Sequence, residues 1–116
     1  MKKPTFDNDG YITDESLDEI KNWKITDQNE LDNFVNYVYD AYNFNYGSMQ
    51  IVANYDKLSC FNFAPFPAIV VTTGGWSGNE VVVQHMNQNL FVLAFMLVAE
   101  IRGGLFVYHH KAFNLK

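Results

Sequence analysis

The amino-terminal half of the chain contains two stretches in which apolar residues recur at helical spacing. The first, DESLDEIKNW, follows Thr13, whose hydroxyl can accept a hydrogen bond from a free backbone N–H at a helix start. Acidic residues in its first turn complement the positive end of the helix dipole. Leu17, Ile20 and Trp23 form its apolar side. We therefore predict a first helix that begins directly after Thr13.

The second stretch has a longer apolar stripe and a clearer start signal. Thr26 or Asp27 can cap it, and Asp27 with Glu30 has the spacing of a capping box. Six apolar or aromatic residues share one face of this predicted helix: Leu31, Phe34, Val35, Val38, Tyr39 and Tyr42. The other face carries Asp32, Asn33, Asn36 and Asp40. We expect the aromatic side chains in the core and the carboxylates on the surface.

After Ser48 the pattern changes to the alternation of a strand with one wet face. One side carries Met49, Ile51, Ala53 and Tyr55, and the other carries Gln50 and Asn54. In CFNFAPFP, Pro65 and Pro67 predict an irregular or edge segment, because proline cannot donate to a sheet. The run AIVVTT that follows predicts a short buried strand.

The carboxyl-terminal half begins with the stretch TGGWSGNE, Thr73 to Glu80, which leads into a helix predicted at about Gly78 to Asn89. The run LFVLAFMLVAEI is apolar on both faces and predicts a central strand, although its periodicity also allows a buried helix. Gly103 and Gly104 form a tight turn before LFVYHH, so the last two runs predict a hairpin.

These elements predict one α+β domain over residues 1–116, with an irregular lead-in at residues 1–10. Two amino-terminal acidic helices and one later helix would pack on a mostly antiparallel sheet of about four strands. That sheet would contain the strand Ile69 to Thr73 and end in the β-hairpin.

Composition narrows the compartment and the class of protein. At 116 residues and 48% hydrophobic content, the chain is long and apolar enough to bury a core. Its single cysteine, Cys60, cannot form an internal disulfide, which predicts a reducing, cytoplasmic home. The lead-in lacks the apolar run of a signal peptide. Leu90 to Ala99 is too short for a membrane helix, so we expect no membrane association.

The net charge of −5 is distributed unevenly along the chain. Residues 1–56 hold eleven of the 13 acidic residues and four of the eight basic ones, whereas residues 57–116 carry a net charge of +2. An acidic face repels phosphate and attracts basic protein surfaces, so we expect a basic protein partner and no direct nucleic acid binding. The same residues could instead simply solvate exposed helices.

The stretch TGGWSGNE lies where an anion could bind, between a strand and a helix start. It lacks the lysine of a phosphate loop, the glycine spacing of a dinucleotide site and the second glycine of a nucleophile elbow. Ser77 with Glu80 has the spacing of a capping box, and Trp76 could pack on the first helical turn. We therefore interpret the stretch first as a helix start.

Two other chemistries can be weighed from spacing. His109 and His110 are adjacent, so on a strand they face opposite sides, and with Cys60 and His85 they match no ligand set. We therefore expect no metal, no cofactor and no catalytic residue. A hydrolase centred on Ser77 is the weakest hypothesis, because no spacing singles out a histidine as its base. One RGG at Arg102 to Gly104, between apolar runs, predicts a turn rather than an RNA-binding box.

Several motifs together resemble a group of small phage and prophage proteins of unknown function. They are Asp9-Gly10-Tyr11, Thr13-Asp14-Glu15, Ile20, Trp23, TGGWSGNE, Arg102-Gly103-Gly104 and Tyr108. The resemblance covers most of the chain and departs at Phe91, Phe95 and Leu105, where the group usually carries tryptophan in the surrounding strands. By analogy it implies a phage inhibitor of host defence, such as an anti-CRISPR protein, in the cytoplasm of an infected or lysogenic bacterium.

The leading hypothesis is a non-enzymatic protein whose acidic helices bind a basic surface of a host effector. The residues expected to bind are Asp14, Glu15, Asp18, Glu19, Asp32 and Asp40. The alternative is a protein that binds a nucleotide or another small anion. Its ligand would contact Gly74, Gly75, Trp76, Ser77, Gly78 and Arg102. Self-association is also expected if the helices leave one side of the hairpin bare.

Overall fold

Both amino-terminal helices form where caps and periodicity predict them. The computed structural model describes residues 2–58 and 64–114. Helix α1 spans Asp14–Asn22, and the hydroxyl of Thr13 accepts a hydrogen bond from the Ser16 N–H at 3.4 Å. Helix α2 spans Gln28–Ala41, and the carboxylate of Asp27 accepts from the Glu30 N–H at 2.8 Å. Both predicted caps are therefore confirmed.

The four strands form one antiparallel sheet in the order β1-β2-β4-β3. They span Ser48–Tyr55 (β1), Phe66–Thr72 (β2), Leu97–Ile101 (β3) and Leu105–His109 (β4). Helix α3, Ser77–Gln88, follows β2, and β3 with β4 forms the predicted hairpin. A short 3-10 helix, Ala112–Asn114, follows β4. The α+β class predicted from the sequence is confirmed.

The two faces of the sheet are covered to different extents. The larger core lies between the helices and one face, and its sheet residues include Met49, Ile69, Val71 and Tyr108. Leu17, Ile20, Leu31 and Phe34 reach it from α1 and α2. A smaller cluster lies on the opposite face, around Tyr55, Leu58, Phe66, Ala68 and Val107. The helices therefore leave that second face with little cover.

The predicted strand through LFVLAFMLVAEI is wrong in its first half. Leu90 and Phe91 are helical, and Val92–Met96 form a π-helical turn, so that only Leu97–Ile101 are extended. The cause is Asn89, whose side-chain oxygen accepts from the N–H groups of Phe91 at 3.0 Å and Val92 at 3.3 Å. That arrangement begins a helical turn in the way an asparagine cap does.

Asn89 also connects this turn to the first helix. Its side-chain amide donates to the carbonyl oxygens of Ile20 and Trp23, each at 3.0 Å, and the residue is buried. The two donors and both acceptor positions of the amide are thus occupied. One buried side chain therefore closes α1 and starts the π-helical turn.

Two predictions of which side chains point into the core, one for β1 and one for α2, are also wrong. Ile51 is 58% exposed, because β1 is an edge strand and the helices cover only its Met49 end; Ala53 is exposed as well. On α2, Tyr39 is exposed and packs on Phe44, with ring centroids 4.7 Å apart. Tyr37 is buried instead, because Trp23 covers it.

The last two residues of the segment CFNFAPFP belong to a regular strand. Cys60 lies outside the described residues, whereas Phe66 and Pro67 belong to β2, between β1 and β4. The pairing with β1 shifts register between Val52 and Tyr55, which leaves Pro67 without a partner in β1. A bulge of this kind lets a strand carry a residue that cannot donate.

No helix within the described ranges is long and apolar enough to span a lipid bilayer.

We expect Asn89→Ala to lower the free energy of unfolding by about 2 to 4 kcal/mol, because it leaves buried backbone groups without partners. Urea unfolding of the full chain, followed by far-UV circular dichroism, measures the change. Asn36→Ala is the matched control, since Asn36 is exposed on α2 and should change stability by less than about 0.5 kcal/mol. Equal stabilities for the two variants would contradict the role assigned to Asn89.

Candidate functional site

The glycine turn after β2 is shaped by backbone that lies against it. Gly74 and Gly75 have positive φ angles of 66° and 75°. A β-carbon on Gly74 would lie 1.4 Å from the backbone oxygen of Tyr46, so the loop before β1 packs directly on this glycine. The first two glycines of TGGWSGNE are therefore a tight turn and the contact surface of a second loop.

The predicted capping box of Ser77 and Glu80 is wrong. Helix α3 begins at Ser77, so Trp76 holds the cap position, and no side-chain hydrogen bond caps the helix. The N–H groups of Asn79 and Glu80 donate to the backbone oxygen of Trp76 at 3.1 and 3.0 Å. Because Ser77 lies one residue inside the helix, its hydroxyl is past the position from which it could cap.

Trp76 packs on Gly78 and is stacked between two tyrosines. Its ring centroid lies 5.1 Å from that of Tyr11 and 5.0 Å from that of Tyr46, with interplanar angles of 26° and 12°. A β-carbon on Gly78 would meet the six-membered ring of Trp76 at 2.2 Å. The third glycine of the motif is thus needed because a residue with a β-carbon would leave no room for the indole ring.

This stack belongs to a wider patch of exposed and half-buried rings, here called the aromatic surface. Its members are Phe6, Tyr11, Tyr39, Phe44, Tyr46 and Trp76. A cleft of about 240 Å³ runs between Phe6, Phe44 and Trp76. Aromatic residues of this kind dominate the binding energy of protein interfaces, because they bury large areas with few rotatable bonds.

A second buried asparagine holds the loop that carries two of these rings, Phe44 and Tyr46. The side chain of Asn79 accepts from the N–H of Asn43 and donates to its carbonyl oxygen, both at 2.9 Å. It also reaches the carbonyl oxygen of Thr73 at 3.4 Å. Tyr42 adds a bond from its hydroxyl to the carbonyl oxygen of Thr72 at 2.6 Å. Sequence reasoning did not single out Asn79, whose only signal was a polar residue at a helical position that faces the core.

The six acidic residues expected to bind a partner fall into two groups. Asp14, Glu15 and Asp18 are exposed on α1, and in residues 2–58 and 64–114 no ion pair or side-chain hydrogen bond involves them. The other three have partners within the chain: Glu19 pairs with Lys2, Asp40 pairs with Lys3 at 3.0 Å, and Asp32 accepts a hydrogen bond from the Gln28 side chain at 3.0 Å and lies 3.6 Å from His110. Only the first group is without a side-chain partner among the described residues.

The residues of the alternative small-anion site are only partly gathered. Gly74 and Gly75 form the turn described above, and Trp76, Ser77 and Gly78 begin α3. The hairpin turn lies next to this segment, because the Thr73 N–H donates to the Gly104 carbonyl oxygen at 3.1 Å. Arg102 is exposed in that hairpin turn, and within the described part of the chain no hydrogen bond or ion pair involves its side chain. The anion site stays a prediction.

The histidines lie apart from one another. His109 packs against Phe66, with centroids 4.7 Å apart, whereas His110 lies on the α2 side near Asp32. Burial lowers the pKa of both imidazoles, and Lys111 lowers that of His110 further. His85 is occupied by the carbonyl oxygen of Val81 at 2.9 Å. Among the residues that the structure describes, no group of three potential metal ligands comes together.

The helical segment from Leu90 through the π-helical turn carries the most exposed apolar side chains of this part of the fold. Leu90, Leu93 and Phe95 are 81%, 55% and 60% exposed. Phe91 packs on Phe95 and on Phe113, with ring centroids 5.1 and 5.0 Å apart. Leu93 and Phe95 belong to the first run of the predicted hairpin, and in the fold they lie in the π-helical turn just before β3.

Comparison of the chain with protein-family models, with curated proteins and with solved structures finds no significant match.

We expect Gly78→Ala to displace the Trp76 ring, because the added methyl group occupies the space of the indole. Fluorescence in a Trp23→Phe background should shift to longer wavelength as Trp76 becomes exposed. The melting temperature should fall even though alanine favours a helix over glycine by about 1 kcal/mol. Gly75→Ala is the control: its β-carbon meets open space, so it strains the backbone and leaves the emission unchanged. Unchanged emission in Gly78→Ala would contradict the packing described.

We also expect self-association through Leu93 and Phe95, because exposed apolar patches of this kind are usually covered by another protein surface. The molar mass from light scattering should rise with concentration for the native chain. The double variant Leu93→Glu and Phe95→Glu should stay at the mass of one chain. A native chain with constant monomeric mass at all concentrations would exclude this prediction.

Proposed function

We propose that the protein is a non-enzymatic inhibitor of a bacterial host defence system, of the anti-CRISPR kind, that binds a basic surface of a host effector. The resemblance to small phage and prophage proteins supports this role, and its site of action would be the cytoplasm of an infected or lysogenic bacterium. The acidic residues of the first two helices supply the attraction.

One observation carries the proposal: Asp14, Glu15 and Asp18 are exposed on α1, and no residue that the structure describes forms an ion pair with them. Of the others in the expected set, Glu19 and Asp40 pair with lysines of the chain, and Asp32 accepts a hydrogen bond from Gln28. Free carboxylates on a rigid helix accelerate encounter with a basic surface and restrict its orientation. We therefore assign the electrostatic part of recognition to these three residues.

The aromatic surface also supports a role in protein binding, because part of it lies close to α1 along the chain. Tyr11 belongs to it and precedes α1 by three residues, so rings and free carboxylates follow one another along the chain. Interfaces commonly combine aromatic residues, which supply affinity, with a charged rim. The combination matches a protein-binding surface better than a site for a small anion, which negative charge would repel.

The proposed role requires no catalytic reaction by the protein. Ser77 is exposed, and in the described ranges no hydrogen bond joins its hydroxyl to a histidine, while His85 is bound to its own helix. The carboxylates proposed to bind lie on the exposed face of α1, where they are open to a partner.

The test is phage plating on bacterial strains that each carry one defined defence system. The native chain should restore plating on at least one strain. The triple variant Asp14→Lys, Glu15→Lys and Asp18→Lys should lose this effect, because three reversals at about 1 kcal/mol each weaken binding on the order of 100-fold. Binding to the captured effector should also weaken as salt is added.

The matched control reverses Asp56, Glu80 and Glu100, which are exposed in other parts of the chain and change the net charge equally. It should inhibit as well as the native chain. Circular dichroism would establish that both triple variants fold. If plating is restored on no strain, or if the α1 variant inhibits as well as the control, the proposal fails.

A further inference from the structure

A groove of about 680 Å³ lies between the end of α1 and α2, apart from the aromatic surface. Trp23 and Tyr37 form its aromatic wall, with ring centroids 5.1 Å apart. Its charged lining consists of the carboxylates of Glu19, Glu30 and Asp40 and the ammonium groups of Lys2 and Lys24. The groove thus presents a ring face together with three acidic groups, the combination that binds cations.

The orientation of Trp23 is fixed by a hydrogen bond from its indole N–H to Glu30 Oε1 at 2.7 Å. Its ring also packs edge-on against Phe34, with centroids 5.9 Å apart. Glu30 therefore does not complete a capping box with Asp27, although the spacing predicted one. The carboxylate holds the indole in the groove instead.

The chain already places an ammonium group of its own against the ring wall of this groove. Lys2 Nζ lies 5.7 Å from the Trp23 ring centroid and pairs with Glu19, and Lys3 Nζ pairs with the lining residue Asp40 at 3.0 Å. The hydrogen bond to Glu19 and its charge raise the pKa of Lys2, and the charge of Glu30 adds to this effect. Two carboxylates of the groove thus act on one bound ammonium.

These two lysines are not needed to hold the lead-in in place. The Thr5 N–H donates to Ser16 Oγ at 2.9 Å, and the Thr13 N–H donates to the Thr5 carbonyl oxygen at 3.0 Å. Phe6 pairs with Ile12 in an isolated antiparallel bridge. Residues 2 and 3 can therefore leave the groove while the chain from Thr5 onward stays anchored.

The lysines are also held weakly. The Lys2 and Lys3 side chains are 67% and 66% exposed, and ion pairs at such positions contribute little. A partner that offers several lysines at once would compete well with them.

We propose that this groove binds a lysine side chain of the partner protein, and that Lys2 occupies it and Lys3 pairs with its Asp40 until the partner displaces them. The inference rests on the proposed function, because it assigns the partner's basic surface a specific point of contact. It gives Glu19 and Asp40 a role in this pocket, distinct from that of the free carboxylates on α1.

The test is isothermal titration of the full chain with a blocked tetralysine peptide. Wild type should bind it weakly, and the double variant Lys2→Ala and Lys3→Ala should bind it about three- to tenfold more tightly, because the competing lysines are gone. Adding Trp23→Leu or Glu30→Gln to that double variant should reduce the affinity at least to the wild-type level. Glu30→Gln keeps the shape of the side chain, so it serves if Trp23→Leu does not fold.

The matched control is Lys57→Ala with Lys111→Ala, which removes the same charge outside the groove. If it tightens binding as much as the first double variant, the gain reflects net charge alone and the inference is overturned. Failure of the Lys2 and Lys3 variant to bind tetralysine would also overturn it.

Phage plating separates this inference from the proposed function. Inhibition by the native chain that is lost with Glu30→Gln supports both. Inhibition that persists with Glu30→Gln overturns the groove as a partner contact and leaves the proposed function standing. If the native chain inhibits on no strain, the proposed function falls and the groove loses its assigned partner, whatever the peptide titration gives.

Discussion

The amide of Asn89 is the constraint on which the arrangement of the elements depends. It is buried, and both its nitrogen and its oxygen are used twice, on Ile20 and Trp23 in one direction and on Phe91 and Val92 in the other. An amide without partners in such a place would cost several kcal/mol. The end of α1 and the start of the π-helical turn are therefore positioned by the same side chain, and β3 follows from that turn.

The aromatic surface is held by the same kind of physics. Asn79 ties the loop at Asn43 to the start of α3, and Gly74 admits the Tyr46 backbone at a distance that no other residue would permit. Gly78 leaves space for the Trp76 ring, which stacks between Tyr11 and Tyr46. The rings are thus ordered before any partner arrives, and pre-organised rings lose little conformational freedom on binding.

Much of the fold follows from local signals, and the departures have identifiable physical causes. Thr13 and Asp27 act within a few residues of their partners, so their caps could be predicted from spacing. The stretch after Asn89 could not, because its apolar pattern suits strand and helix alike and its bonds reach back to α1. The Ser77 cap was missed by one residue, which is the usual uncertainty of a helix boundary.

The candidate sites also contain features that the sequence predicts and features that only the fold creates. An acidic α1 and a special role for Trp76 could be predicted from residue types, because charge and glycine spacing are visible in the sequence. The pairing of Lys2 with Glu19, and of Lys3 with Asp40, could not, since it joins residues that only the folded lead-in brings together. Trp23 was predicted as a helix-face residue, yet it forms a groove wall, because Glu30 turns its ring.

The π-helical turn has a geometric consequence for the hairpin. The Leu97 N–H bonds back to the carbonyl oxygen of Val92, five residues earlier, so this turn contains about one residue more than an α-helical turn. One extra residue rotates everything after it by about 100° around the helix axis. Met96 is thereby brought into the core while Phe95 stays outside. The extra residue of the turn thus determines the direction in which the side chains of β3 point, and so which face of β3 meets the helices.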